Sequence, residues 1–581
     1  MAGILVTLVI GLPWLGAIAV WLAGNQREKI QHTLAVVFSV LTAISSLVLL
    51  KFAGSEVVIR ISLGTSFGEL TFVPDGLAVS LTAIAAVIGS LAVIFSVDYM
   101  HGDDQLGRYY FLVLFFIGAM TGLVLSGNLL FTFFFWEITA LCSYGLISFY
   151  NDDPKAVAGG IKALIITQVG GVGLLVGTLI AYANLGSFQI SVLLEKASTL
   201  PAVSLSFIAF SFLIAAAAKS AQFPFHTWLP DAMEAPTPVS ALIHAATMVN
   251  AGIYLLARFY PAFETVPAWT MSVLLVGLIS ALIAALSALI ATDLKRALAY
   301  STVSQLGYMV YAIGAGGVFA SQFHLLSHAV FKALLFLAAG SVIHSVGTRD
   351  MRRMGRLGQR MPFVRNVFII GALALAGVPI LNGFWSKELI LEFGLEHSPI
   401  WAYGLMLFGA GLTAFYTFRM VWLVFFGTER DQLPAHRAGS AMKVSLGVLA
   451  AGTFVTWLFF GGLNGLLSMT MPFHGFEHES LVEMVTAVLS APATWFALLI
   501  VGLGFGISWV RARGFRLFGG GWLQPFVDTS FGFEPVNTFV VQGVSKFAER
   551  LRATQTGELN WNILGIIGGL LVVLVVLWLG A

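Results

Sequence analysis

The sequence is built from apolar blocks of about twenty residues, the length a helix needs to cross a hydrocarbon core of about 30 Å. Blocks such as MSVLLVGLISALIAALSALIA have no polar face, which a surface helix of a water-soluble domain would present. Only 10% of the 581 residues are charged and 58% are hydrophobic, whereas soluble proteins carry roughly 25% charged residues. The pattern predicts an all-α polytopic membrane protein of about sixteen spans. They are expected near 3–24, 33–52, 76–97, 111–126, 129–150, 161–184, 203–223, 237–259, 268–290, 294–315, 321–346, 364–391, 400–427, 443–466, 489–510 and 561–580.

The first block has no basic segment before it and is long enough to span, so it reads as a retained helix rather than a signal peptide. Cys142 is the only cysteine, which rules out an intrachain disulfide and a cysteine-ligated iron–sulfur cluster. No cofactor and no metal are expected, and a net charge of +2 gives no reason to expect a nucleic-acid partner.

Alternate loops differ sharply in basic content. One set holds Arg27, Lys29, Arg108, Lys155, Lys295, Arg296, Arg349, Arg352, Arg353, Arg356, Arg360 and Arg430, and continues with Arg437, Lys443, Arg511, Arg513 and Arg516. The other holds little beyond Arg60, Lys196, Lys51 and Arg258. Basic loops stay cytoplasmic, so both termini are expected outside a cell's inner membrane. Residues 55–75, with EVVIRIS and PDG, read as a small external hairpin. After Arg511, Val541, Val544, Phe547 and Leu551 recur at helical spacing beside Lys546, Glu549, Arg550 and Arg552. That is the pattern of an amphipathic helix on the cytoplasmic surface.

An ionisable group at mid-membrane costs at least about 2.5–3.5 kcal/mol on insertion scales, so each one calls for a reason. Glu137, Lys219, Lys332 and Lys387 all fall inside expected spans. A structural ion pair or a snorkelling lysine explains one such group more readily than four. His324, His328 and Lys332 stand at i, i+4 and i+8, a stripe that drifts only about 80° around a helix and reads as a proton relay. Metal chelation by the two histidines is the rival reading, weakened because no carboxylate or cysteine shares the stripe. Helix breakers flank two of the lysines: Gln222-Phe223-Pro224 follows Lys219, and Gly377-Val378-Pro379 with Asn382-Gly383 precedes Lys387. The two spans involved cross in opposite directions, which is the arrangement of an inverted repeat. Gly170-Gly171-Val172-Gly173 lies inside a span and reads as close helix packing.

The segments WEITALCSYGLISFY, KSAQFPFHTWLPDAMEAPTPVSALIHAATMV, TDLKRALAYSTVSQLGYM, FHLLSHAVFKALLFLAAGSVIH and GVPILNGFWSKE together resemble the antiporter-like subunits of respiratory complex I. Mrp sodium/proton antiporters and membrane-bound hydrogenase complexes share this set, and the C-terminal arrangement is similar to the distal complex I subunit, chain L. The resemblance implies two inverted five-helix repeats with broken helices. It makes Glu137 and Lys219 a gating pair, Lys332 the central proton carrier and Lys387 the group near the exit, with His244, His324 and His328 connecting them through water. It implies a structural role for Asp293, Lys295 and Arg296. Thr167-Gln168-Val169-Gly170-Gly171 departs from the TRVGD of chain L and, with Gly347-Thr348-Arg349-Asp350, is closer to Mrp-type chains. The surface segment is also shorter than that of chain L.

The expected organisation is N-terminal helices at 1–110, a first repeat at 111–260, a second at 261–427, C-terminal helices at 428–510, a surface helix at 511–560 and a last span at 561–581. The function implied is proton translocation by a subunit of a redox-driven complex, with other membrane subunits, the lipid bilayer and protons as partners. Burial disfavours a charged lysine and a nearby carboxylate favours it, so movement of Glu137 would drive a proton from Lys219 toward Lys332. The work must come from outside the chain, which has no redox centre, Walker motif or dinucleotide fingerprint. A sodium/proton antiporter without a redox partner and a non-transporting scaffold are the alternatives.

Overall fold

The computed structural model describes residues 1–24, 27–64, 69–428, 436–513 and 524–554; the expected last span lies outside the described residues. The chain is a multi-pass membrane protein, with thirteen helices among the described residues long and apolar enough to cross a bilayer. It opens with α1 (Ala2–Ala23), α2 (Glu28–Leu49), α3 (Gly76–Tyr99), α4 (Leu106–Leu125), α5 (Leu129–Ile147) and α6 (Pro154–Leu185). Several starts are set by side-chain caps. Asp75 accepts from Ala78 N at 3.0 Å, Asn128 from Leu130 N at 2.9 Å and Asp153 from Lys155 N at 2.9 Å, just before Pro154. The expected hairpin is present between α2 and α3, where β1 (Ile59–Ser62) pairs antiparallel with β2 (Glu69–Phe72) and Ile59 faces Phe72.

The short α7 (Ile190–Lys196) precedes α8 (Ala202–Lys219), which stops at Lys219. Residues 220–227 are not helical and include a cis Phe223–Pro224 bond. The chain then resumes as α9 (Trp228–Asp231), and α10 (Thr237–Ala241) continues through a π turn at Leu242–Ala246 before α11 (Asn250–Phe263). Next come α12 (Trp269–Ile290), α13 (Leu294–Ala315), α14 (Val318–Val346) and the single turn α15 (Leu357–Arg360). A second break, at 377–381, separates α16 (Pro362–Ala376) from α17 (Asn382–His397). The C-terminal helices are α18 (Ile400–Val421), α19 (Ser440–Val455), α20 (Phe460–Thr470), α21 (Leu481–Ser490), α22 (Pro492–Ala512), α23 (Gln524–Asp528) and α24 (Phe533–Thr554).

Three of the sixteen expected spans fall outside the thirteen. Lys, Arg, Tyr, Ser, Thr and Gln side chains dilute the apolar content of α13, α16 and α17 are each too short because the span is broken, and the last is not among the described residues. The expected span at 443–466 is itself interrupted, by a 3-10 turn at Thr456–Phe459.

At the centre stands α14, buried along almost its whole length by α3, α10, α13, α16, α17 and α19. In contrast, α1 and α2 turn Trp21, Leu22 and Ile44 outward. The glycines of α6 are packing residues: a Cβ on Gly170 would lie 2.7 Å from Ala218 Cβ, and one on Gly173 2.9 Å from Ser211 O. Small residues there let α6 lie directly on α8.

The amphipathic segment forms α24, with Val544, Phe547 and Leu551 exposed. Its N-terminal end is docked on the bundle. Glu534 accepts from Lys162 Nζ at 2.6 Å, Asn537 donates to Thr227 Oγ1 at 2.9 Å and Pro224 O at 3.2 Å, and the Phe533 ring meets Phe223 at 4.7 Å. These contacts hold α24 against the non-helical segment that follows Lys219.

Candidate functional site

The break after α8 and the break before α17 place two lysines at interrupted helix ends inside the bundle. Lys219 is fully buried at the last residue of α8. Its ammonium donates to Trp136 O at 2.9 Å and lies 4.8 Å from the centre of the Trp136 ring. Lys387 is buried in the second turn of α17, and its ammonium donates to Leu375 O at 2.8 Å, one of the carbonyls freed where α16 ends. Lys332, at the middle of α14, donates to Ser301 Oγ and to Leu298 O at 3.4 Å. Among the described residues none of these ammonium groups has a carboxylate oxygen within 4.0 Å. All three are held by neutral oxygens.

The histidines lie where the spacing predicts. His324 and His328 are fully buried, with ring centres 6.3 Å apart. His324 joins Ser386 Oγ at 2.9 Å through Nδ1 and Gln305 Oε1 at 3.1 Å through Nε2. Ser386 is the neighbour of Lys387, so α14 and α17 meet through polar side chains. His244 sits on the π turn, which packs against α14, with its ring 6.0 Å from Trp228. Trp228 in turn donates to Ala218 O at 3.0 Å, next to Lys219. Neither ring nitrogen of His244 or His328 has a hydrogen-bond partner among the described residues.

Glu137 is placed differently from the lysines. It is only half-buried, and it shares its stripe of α5 with Phe134 and Leu141, which are 54% and 55% exposed. Its carboxylate accepts from Gln168 Nε2 on α6. Glu137 and Lys219 are not in ion-pair contact, because Lys219 reaches the inward side of α5 at Trp136 while Glu137 leans over its edge toward α6. The departure from TRVGD therefore has a structural meaning. Gln168 supplies the donor to Glu137, and a Cβ at Gly171 would collide with Glu137 Oε1.

Four further charged groups are buried in the bundle. Lys295, grouped above with the loop charges, is 3% exposed at the start of α13 and donates to Ala235 O at 2.5 Å. Glu388 is 2% exposed beside Lys387, and WSKE made it visible in the sequence. Lys162 bridges Asp231 at 2.7 Å and Glu534 at 2.6 Å. Arg258 is buried against Asp75, with Nη2 2.9 Å from Oδ1, and ties α11 to the start of α3. Lys162 and Arg258 have the structural ion pairs expected of buried charges; Lys219, Lys332 and Lys387 do not.

Residues 126–413 match the family described as NADH:quinone oxidoreductase/Mrp antiporter, transmembrane, and residues 61–110 match the N-terminus of NADH-ubiquinone oxidoreductase (complex I) chain 5. The NAD(P)H-quinone oxidoreductase chain 5 of Picosynechococcus sp. is 44% identical over 378 residues, covering 62% of this chain and 57% of that protein. The chloroplast subunit 5 of Cryptomeria japonica is 45% identical over 380 residues, covering 63% of this chain and 51% of that one. The chain thus spans rather more than half the length of the curated relatives it matches. They carry the name chain 5 rather than chain L. Among solved structures, a chain of the Mrp complex from Dietzia sp. is 27% identical with a TM-score of 0.82, covering 99% of this chain and 63% of that one. A chain of an archaeal membrane-bound sulfane sulfur reductase is 25% identical with a TM-score of 0.69, covering 83% of this chain and 99% of that one.

Proposed function

On the premise that the chain belongs to the NADH:quinone oxidoreductase/Mrp antiporter superfamily of membrane subunits, we propose that it moves protons through the bilayer as one subunit of a redox-driven complex. The observation that carries this reading is the set of three buried lysines, each bound to neutral oxygens. A buried lysine paired with carboxylates, as Lys162 is, is held in its charged form. A lysine held only by carbonyls and hydroxyls can exist with or without its extra proton, which is what a carrier must do.

The geometry supports one order of groups. Lys219 receives a proton at the end of broken α8, and Lys332 carries it at the centre of α14. His328 and His324 lead on to Ser386 and Lys387 at the second break. His244 joins the two halves beside Trp228. The unpartnered imidazole nitrogens require water to satisfy them, because buried polar groups in folded proteins are hydrogen-bonded. Glu137, at the edge of α5, serves as the switch: its charge near Lys219 favours the ammonium, and its withdrawal releases the proton inward. The two breaks, in spans of opposite direction, are assigned to two inverted repeats at 111–260 and 261–427, with both termini outside and 349–360 in the cytoplasm.

The subunit's likeness to chain L rests on the C-terminal arrangement, a surface helix followed by an expected last span. Against that, an Mrp-type role as a sodium/proton antiporter is favoured by one observation, the near-complete overlap with a chain of an Mrp complex. Purification in mild detergent separates the two readings. A redox-driven subunit copurifies with quinone- or ferredoxin-linked subunits, and in that complex Lys219→Ala abolishes redox-coupled proton movement. Sodium-dependent exchange in a complex without redox subunits would overturn this reading.

A further inference from the structure

At the end of the bundle that carries the basic loops, α18 and α22 bound a cavity of about 350 Å³ lined by Arg352, Arg419, Arg511, Ser508, Phe415 and Trp422. Its size is in the range of small-ligand sites. Its charge is one-sided. Arg352 is already bound to Asp350, with Nη2 2.8 Å from Oδ2. Arg419 and Arg511 have no carboxylate within 4.0 Å among the described residues. Arg419 is half-buried in the last turn of α18 and places one N–H on Ala291 O at 2.8 Å, which leaves most of its five donors without a partner among the described residues. A partly buried guanidinium with no counter-ion is unfavourable in a membrane protein and calls for an anion.

The surroundings say which anion. On α22, Phe496, Leu499, Leu503 and Ile507 are exposed by 57, 59, 52 and 40%, and this apolar stripe ends at Arg511. Trp422 lies at the cavity wall, as an aromatic ring does at the level of lipid headgroups. Free phosphate would use the arginines alone; only a lipid would use the arginines and the stripe together. We propose that this cavity binds the phosphodiester headgroup of an anionic phospholipid, with Arg419 and Arg511 on the phosphate and the acyl chains along α22. Guanidinium forks suit phosphate oxygens, and basic pockets between spans on the cytoplasmic side are where such headgroups settle. The proposal is independent of the ion that the chain transports.

The test uses the full chain, delipidated in mild detergent and then exposed to mixed micelles of phosphatidylglycerol or phosphatidylcholine. Bound lipid is counted by native mass spectrometry. The wild type should retain phosphatidylglycerol saturably, and Arg419→Gln/Arg511→Gln should bind it on the order of ten- to thirty-fold more weakly. Arg513→Gln, whose guanidinium stacks on Trp509 instead, should bind as the wild type does. Equal retention of phosphatidylcholine, equal binding by the double variant, or displacement by millimolar inorganic phosphate would each overturn the proposal. Should the double variant not fold, the wild-type competition between the two lipids and phosphate decides alone.

Discussion

Removing the side chains that fasten α24 to the break after Lys219 should loosen that helix by an amount the contacts fix. Asn537 is 4% exposed and makes two hydrogen bonds, to Thr227 Oγ1 and Pro224 O. Asn537→Ala deletes both and leaves the buried Thr227 hydroxyl without this donor, a loss of about 1–3 kcal/mol. Phe533 meets Phe223 edge-on, with planes at 76°, and such a pair contributes about 0.5–1.5 kcal/mol beyond its buried area. The two sites are neighbours, so their effects need not add. Phe533→Ala/Asn537→Ala should therefore lower the free energy of local opening by about 2–4 kcal/mol, a factor of roughly 30 to 1,000. Amide hydrogen exchange by mass spectrometry reads this directly, because local opening sets the exchange rate. Peptides covering 533–545 should exchange faster by that factor, while peptides from α12 stay unchanged. Unaltered exchange across 533–545 would refute the part given to Asn537 and Phe533, since Glu534 and Lys162 alone would then suffice to hold the helix.

Breaking the Arg258–Asp75 pair with Arg258→Met should destabilise the protein by about 3–5 kcal/mol, and Arg258→Met/Asp75→Asn should recover most of that, because the cap on α3 survives; thermal aggregation in detergent measures both. Gly170→Ala presses a methyl against Ala218 and the Ala215 carbonyl and should cost about 1–3 kcal/mol. Gly171→Ala presses closely on the movable Glu137 carboxylate, so it should leave thermal stability near wild type while slowing ion transfer. Arg353→Cys should react with an impermeant maleimide from the cytoplasmic face alone, against a low background because the native Cys142 is buried; labelling only from outside would reverse the orientation.

The spans were legible because bilayer thickness writes itself into the sequence as apolar blocks, and even the diluted α13 kept its length. The breaks at 220–227 and 377–381 were legible because proline and glycine mark them. The π turn at Leu242–Ala246 and the 3-10 turn at Thr456–Phe459 carry no such mark; LIHAA and TWLF read as ordinary helix, and tertiary packing decides their form. Placing the lysines and histidines inside needed only the rule that charges avoid lipid. Their partners were not legible. Whether Glu137 meets Lys219 or Gln168 depends on the rotation of α5 against α6 and α8, which no local pattern encodes. Lys295 read as one of the basic loop charges, yet Ala235, sixty positions away, supplies the carbonyl that lets it be buried. The docking of Asn537 on Thr227 is likewise a meeting of distant segments.

The central claim is that Lys332, held by Ser301 and Leu298 at the middle of α14, carries the transported proton. The most direct measurement is the proton-to-electron ratio of the intact complex in sealed vesicles, with wild-type chain and with Lys332→Ala. The account predicts that the variant assembles, keeps its electron transfer and loses the protons this subunit contributes. An unchanged ratio in the assembled Lys332→Ala complex would contradict it.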